Sequence, residues 1–136
     1  VSADNAHAVH PNHPEKADPI NRPMINKGIV IKFNAAQHYT TDAVSCAVYR
    51  DLCESNDIPV QVFTNRSDTK GGSTLGNVSN AHVSLNTLDI GLAQLAMHSC
   101  YETVGARDTK HLVDAMTIFY SKTFRVDAGG SFELVD

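Results

Sequence analysis

The pattern of apolar and polar positions predicts alternating strands and helices. "GIVIKF" (residues 28–33) is a β-branched run of strand length entered through a glycine. "TTDAVSCAVYRDLCES" follows. It places Val44, Ala47, Val48 and Leu52 on one helical face, with Thr40 or Thr41 as its N-cap. "PVQVFTN" (Pro59 to Asn65) alternates as a strand, "GGSTLGNVSNAHV" (Gly71 to Val83) reads as a glycine turn feeding a helix, and "LDIGL" (Leu88 to Leu92) is a short apolar strand. Asp108 to Phe124 forms a last helix, capped by Asp108, with Leu112, Met116, Phe119 and Tyr120 on its inner side. The tail from Arg125 onward fits either an ordered or a loose end. The order of elements predicts an α/β sheet with helices on both faces, in one domain.

Upstream of these lies "SADNAHAVHPNHPEKAD", which sets Asp4, His7, His10 and His13 at a constant step of three. Such spacing could mark one helix face or a metal cage. Pro11 directly follows His10 and Pro14 directly follows His13, so no continuous helix can carry the series. Pro11, Pro14, Pro19 and Pro23 instead predict an irregular loop from Pro11 to Lys27. That leaves Asp4 at the end of a short strand, a carboxylate with a histidine three residues on, and His13 as solvated loop.

Composition narrows the partners. The 136 residues are 42% hydrophobic and carry a net charge of −4 with no basic block, which argues against nucleic acid and acidic lipid surfaces. No apolar run approaches the roughly 20 residues needed to span a membrane. Three cysteines without a CxxC pair predict a reducing, cytoplasmic setting. Cys46 and Cys53 stand about 10 Å apart along a helix, too far for a disulfide. The chain opens on Val1 without a signal sequence, as though entering in mid-strand, which predicts a piece of something larger.

Two further residues invite chemistry. Lys32 interrupts an apolar strand, where an ammonium needs either an edge to reach or a carboxylate to meet. His98 follows an apolar strand, where open-sheet active sites gather. Two common motifs fail: Lys70 precedes Gly71 and Gly72 instead of following the last glycine of a phosphate loop, and no GxSxG elbow exists.

"SADNAHAVHPN", "NKGIVIKFNAAQHY", "IPVQVFTNRSDTKGGSTLG" and "LDIGLAQLAMHS" together resemble, in order and spacing, the aspartyl aminopeptidase family of co-catalytic zinc aminopeptidases. The resemblance covers nearly the whole chain and implies the C-terminal portion of the catalytic domain, residues 1–136, without the upstream catalytic segment or the inserted dimerisation domain. It implies that Asp4 and His98 are metal ligands and that Asp4 also lies against the substrate. His7 and Tyr39 resemble substrate-contacting residues, Lys32 the cation for an acidic side chain, and His10 a supporting residue. Zinc is the implied metal, a pair per complete site, with manganese or cobalt as substitutes. The implied substrates are peptides with a free N-terminus, and the implied complete enzyme is a homo-oligomer.

Departures from the family pattern fall at His38, usually arginine, at Gly71, usually cysteine, and at Asn77, usually proline. The family's base and further ligands include an adjacent Glu–Glu pair. The glutamates here, Glu15, Glu54, Glu102 and Glu133, are all isolated, so no general base lies within this chain. The expected function is therefore a metallo-aminopeptidase acting on N-terminal Asp or Glu, of which this chain holds part of the site and is inactive alone. The alternatives are a non-catalytic module that folds and self-associates, or a simple metal-binding domain.

Overall fold

The computed structural model describes residues 1–129 and 131–135. Two short strands come first, β1 (Ser2–Ala3) and β2 (Ala6–His7), followed by the proline loop, whose only regular piece is one 3-10 turn at Pro14–Lys16. Then come β3 (Ile29–Phe33), α1 (Ala43–Glu54), β4 (Val60–Thr64), α2 (Leu75–His82), β5 (Asp89–Gly91), β6 (Ala93–Leu95) and β7 (Thr103–Val104). The chain ends with α3 (Ala106–Ser121) and a hairpin of β8 (Thr123–Val126) and β9 (Phe132–Val135). The tail is thus ordered over its described residues, with Phe124 stacked on Phe132 across the hairpin; residues 130 and 136 lie outside the described residues.

The mixed α/β architecture matches the sequence pattern. The main sheet runs β1-β5-β3-β4, with β3 parallel to β4 and antiparallel to β5. Side chains alternate across a strand, so β3 divides the core in two. Ile29 and Ile31 pack with Ile90 against Tyr49, Leu52 and Cys53 of α1 and Ala115 of α3. Val30 points the other way, into a second cluster with Phe63, Tyr39, Ala6 and Ala93. Lys32 shares the parity of Val30 and so belongs to this second face. Each fully buried Val or Ile contributes about 1.5–3 kcal/mol, enough to fix the register and hence the side on which Lys32 emerges.

The helices differ from the sequence reading at four points, the first being that α3 ends at Ser121, so that Phe124 lies in β8 instead of closing the helix. The N-cap of α1 is Asp42, whose carboxylate accepts from the Ser45 N–H while the Ser45 hydroxyl takes the Asp42 N–H. Thr40 and Thr41 cannot serve, because their hydroxyls are committed to Asp89. The N-cap of α3 is Gly105, and the buried Asp108 carboxylate accepts from the N–H groups of Asn26 and Gly28 instead of capping the helix. Tyr120 is 79% exposed and packs edge-on against Phe119. It stands about 90° off the centre of the buried stripe formed by Leu112, Ala115, Met116 and Phe119.

Candidate active site

Between β1 and β2 the chain leaves the main sheet for a smaller one, ordered β2-β6-β7, and β5 and β6 make the same crossing beside it. Asp4 and Asn5 form the bend. The Asp4 N–H donates to Ile90 O at 2.9 Å and the Ala6 N–H to Leu92 O at 2.9 Å, so pairing runs unbroken across it. The Asn5 side chain braces it, accepting from the Leu92 N–H at 3.0 Å and donating to Gln94 Oε1 at 2.5 Å.

Lys32 reaches this bend from β3. Its Nζ donates to Asp4 O at 3.1 Å, to Asp4 Oδ2 at 3.2 Å and to Asn5 O at 3.4 Å, and sits 4.5 Å from the centroid of the Tyr39 ring. A buried ammonium is costly unless fully partnered, and this one is: Lys32 is 2% exposed, while the Asp4 side chain facing it is 60% exposed. The charged residue that interrupts the strand pattern thus meets a carboxylate within its own chain.

Asp4, His7, Lys32, Tyr39 and His98 all line one cleft of about 540 Å³, together with Phe63 and the Gly72–Leu75 segment. His98 follows β6 in a left-handed backbone conformation, φ 66°, which non-glycine residues rarely adopt. Its N–H donates to Glu102 Oε1 at 2.6 Å, so the turn that presents the imidazole is pinned from within. Loss of water around His7, with His98 and Lys32 nearby, lowers its imidazole below the ordinary value; the Asp4 charge opposes this only in part. Burial raises the Tyr39 phenol, and the negative charges of Asp4 and Asp89 add to the effect.

His10 and His13 do not join this cleft. They line a separate cavity that shares His7 and Phe63 with it. His10 Nδ1 accepts from the Asn12 N–H at 3.1 Å, and His13 Nδ1 lies 3.2 Å from the Glu15 carboxylate. The constant step of three therefore divides between two places, with His7 at their boundary.

Sequence reading missed Asp89, although it interrupts the apolar "LDIGL" as Lys32 interrupts "GIVIKF". It is wholly buried, and its Oδ2 accepts from the Thr40 N–H at 2.6 Å and the Thr40 hydroxyl at 2.9 Å. Gly76 abuts the same carboxylate: a Cβ there would lie 3.0 Å from Asp89 Oδ2. Asp89 thus holds the residue after Tyr39 and lies against the start of α2, two walls of the cleft. Burial pushes its carboxyl upward, but the polar groups around it, the two Thr40 hydrogen bonds among them, outweigh that and hold it below the ordinary value. A depressed carboxyl stabilises the fold fully above its unfolded value, and the contribution is lost as pH falls through the folded one. Asp89→Asn should therefore flatten the loss of stability below about pH 4, read as denaturation midpoints against pH.

Asp4 and His98 offer a carboxylate oxygen and an imidazole nitrogen, donor types that zinc takes. A tetrahedral zinc needs four donors, and among the described residues no group of three or more His, Cys, Asp or Glu is placed to hold a metal ion. The donor types fit, and the described residues alone do not complete the set.

Comparison with known proteins gives a consistent result. The chain is 50% identical over 121 residues to a probable M18 family aminopeptidase 2 of Clostridium acetobutylicum, covering 89% of this chain and 28% of that protein. The counterpart in Ectopseudomonas mendocina is 47% identical over the same length and shares. Among solved structures, a chain of the Ape4 and Nbr1 complex matches with a TM-score of 0.84 and 40% identity, over 87% of this chain and 22% of that one. The S. cerevisiae mApe1 dodecamer matches with a TM-score of 0.77 and 31% identity, over 88% and 26%. This chain spans about 28% of the length of the curated relatives it matches. The family model for the aminopeptidase I zinc metalloproteases (M18) matches residues 1–120, and the chain belongs to that family.

Proposed function

We propose that this chain is the C-terminal portion of a zinc aminopeptidase that removes N-terminal residues, acidic by preference, from peptides. The observation that carries the reading is the convergence of Asp4, His7, Lys32, Tyr39 and His98, from separate segments, on one cleft. Asp4 and His98 would hold zinc, with manganese or cobalt as substitutes, alongside donors and a glutamate base from outside this chain. When bound, the metal pair supplies a water of lowered pKa and polarises the peptide carbonyl.

The chain's own residues supply the rest. Lys32 presents a positive charge to the acidic side chain. The Tyr39 phenol, raised by burial, stays protonated and can donate to the peptide oxygen. His7, its imidazole lowered, stays neutral near pH 7 and can orient the substrate by a hydrogen bond. Free Cys46, Cys53 and Cys100 suit a cytoplasmic site, and the dodecameric mApe1 relative favours a homo-oligomer.

The test is hydrolysis of Asp-, Glu- and Leu-anilides with zinc, manganese or cobalt. The chain is assayed alone and mixed with the upstream part of the C. acetobutylicum relative. The expected result is silence alone and acid-selective turnover when complemented, abolished by His98→Ala. Silence in both cases, with self-association of the chain, would instead mark a non-catalytic module.

A further inference from the structure

Lys32 has three N–H donors, and three oxygens take them: Asp4 O, Asp4 Oδ2 and Asn5 O, at 3.1, 3.2 and 3.4 Å. Its remaining exposure is covered by the face of Tyr39. An ammonium so partnered has no N–H to offer an incoming carboxylate. An acidic side chain entering the cleft would also meet the Asp4 charge beside the lysine it seeks, a like-charge contact that disfavours binding.

The three partners are not equivalent. Two are backbone oxygens of the β1–β2 bend, fixed by the pairing of Asp4 with Ile90 and Ala6 with Leu92. The third is a side chain 60% exposed, which can rotate into the cleft without disturbing the sheet.

We propose that Asp4 latches Lys32, so that Lys32 receives an acidic substrate side chain only after the Asp4 carboxylate has left it. The proposal rests on the peptidase reading of the cleft and deepens it. A divalent cation engaging Asp4 is the event that fits, since it draws on the same carboxylate. Recognition of the acidic residue is then coupled to metal loading through one oxygen, Asp4 Oδ2.

The test uses the metal-free chain, with L-aspartic acid α-amide and L-asparagine amide as probes, followed by calorimetry and backbone amide shifts. The wild-type chain should show no preference for the aspartic probe. Asp4→Ala should bind it roughly tenfold more tightly than wild type does, the scale of one hydrogen bond to a charged group, with shifts at Lys32 and Tyr39. Adding Lys32→Met should remove the gain. Asp4→Asn, isosteric but uncharged, should give a smaller gain and carries the test if Asp4→Ala does not fold. A Lys32-dependent preference already present in the metal-free wild type overturns the latch, as does unchanged affinity in both Asp4 variants. None of these readouts needs turnover. Failure of the peptidase reading would show only in the complemented hydrolysis assay.

Discussion

Gly91→Ala is expected to destabilise the chain by about 3 kcal/mol or more, at or above the upper end for overpacking. A Cβ at Gly91 would lie 2.1 Å from Asp4 O and 2.7 Å from both Asp4 C and Asn5 Cα. All three are backbone atoms, so no rotamer change relieves the clash. Gly91 is also held on its other side, in register with Val30. Relief requires the β1–β2 bend to lift off β5. That would break the Asp4 N–H bond to Ile90 and pull two carbonyl oxygens from Lys32. The melting temperature should fall by roughly 10 °C for a domain of this size. Gly72→Ala is the control: it lines the same cleft, yet a Cβ there meets nothing within 4 Å. It should change stability by less than about 0.5 kcal/mol. If the Gly91 variant melted with the Gly72 variant, the close approach of β5 to the bend would be wrong, and the placement of Asp4 with it.

This bend also marks where sequence reading stops. Period two or 3.6 announced β4, α1 and α3, because one face of each is buried, and an unbroken β-branched run announced β3, which is buried on both faces. Lys32 was legible for the same reason, as a charge that such a pattern does not tolerate. The Asp4–Asn5 crossing belongs to no period. It exists because β1 pairs with β5 and β2 with β6, partners almost ninety residues downstream, and nothing local to "SADNAHAV" encodes that. The step of three suggested one site for Asp4, His7, His10 and His13. The prolines correctly ruled out a helix and put His13 in a loop; the fold adds that His10 also leaves the cleft for the neighbouring cavity. Thr40 and Thr41 have good capping chemistry, and Asp89 claims it; the signal that could have found this was the carboxylate inside "LDIGL".

Asp108 shows the same limit and gives the second large effect. An aspartate in the first turn of a helix reads as a cap or a dipole partner. In the fold it is wholly buried. Its Oδ2 accepts from the Asn26 N–H at 2.6 Å and its Oδ1 from the Gly28 N–H at 2.8 Å. Asn26 answers by accepting from the Arg107 N–H at 3.1 Å, so each segment satisfies the other's backbone donors. The turn so held is unfavourable by itself, with φ of 64° at Asn26 and 110° at Gly28. A side chain at Gly28 is also barred by Pro59 O, which a Cβ would approach to 2.1 Å. Asp108→Ala leaves two donors without partners at about 1–3 kcal/mol each, and the expected loss is about 3–5 kcal/mol. Asp108→Asn keeps one acceptor but turns an N–H toward a donor, so it should lose about half as much. Adding Asn26→Ala to Asp108→Ala should cost less than Asn26→Ala does alone, because the two act as one clamp. Denaturant unfolding measures these losses. Amide exchange at Gly28 locates them, with protection falling there before it falls at Ile31. The clamp also reaches the cleft: β3 starts at Ile29, directly after the turn, and carries Lys32. A loosened turn should therefore weaken the hold of Lys32 on Asp4 while α1 and its capping box stay intact.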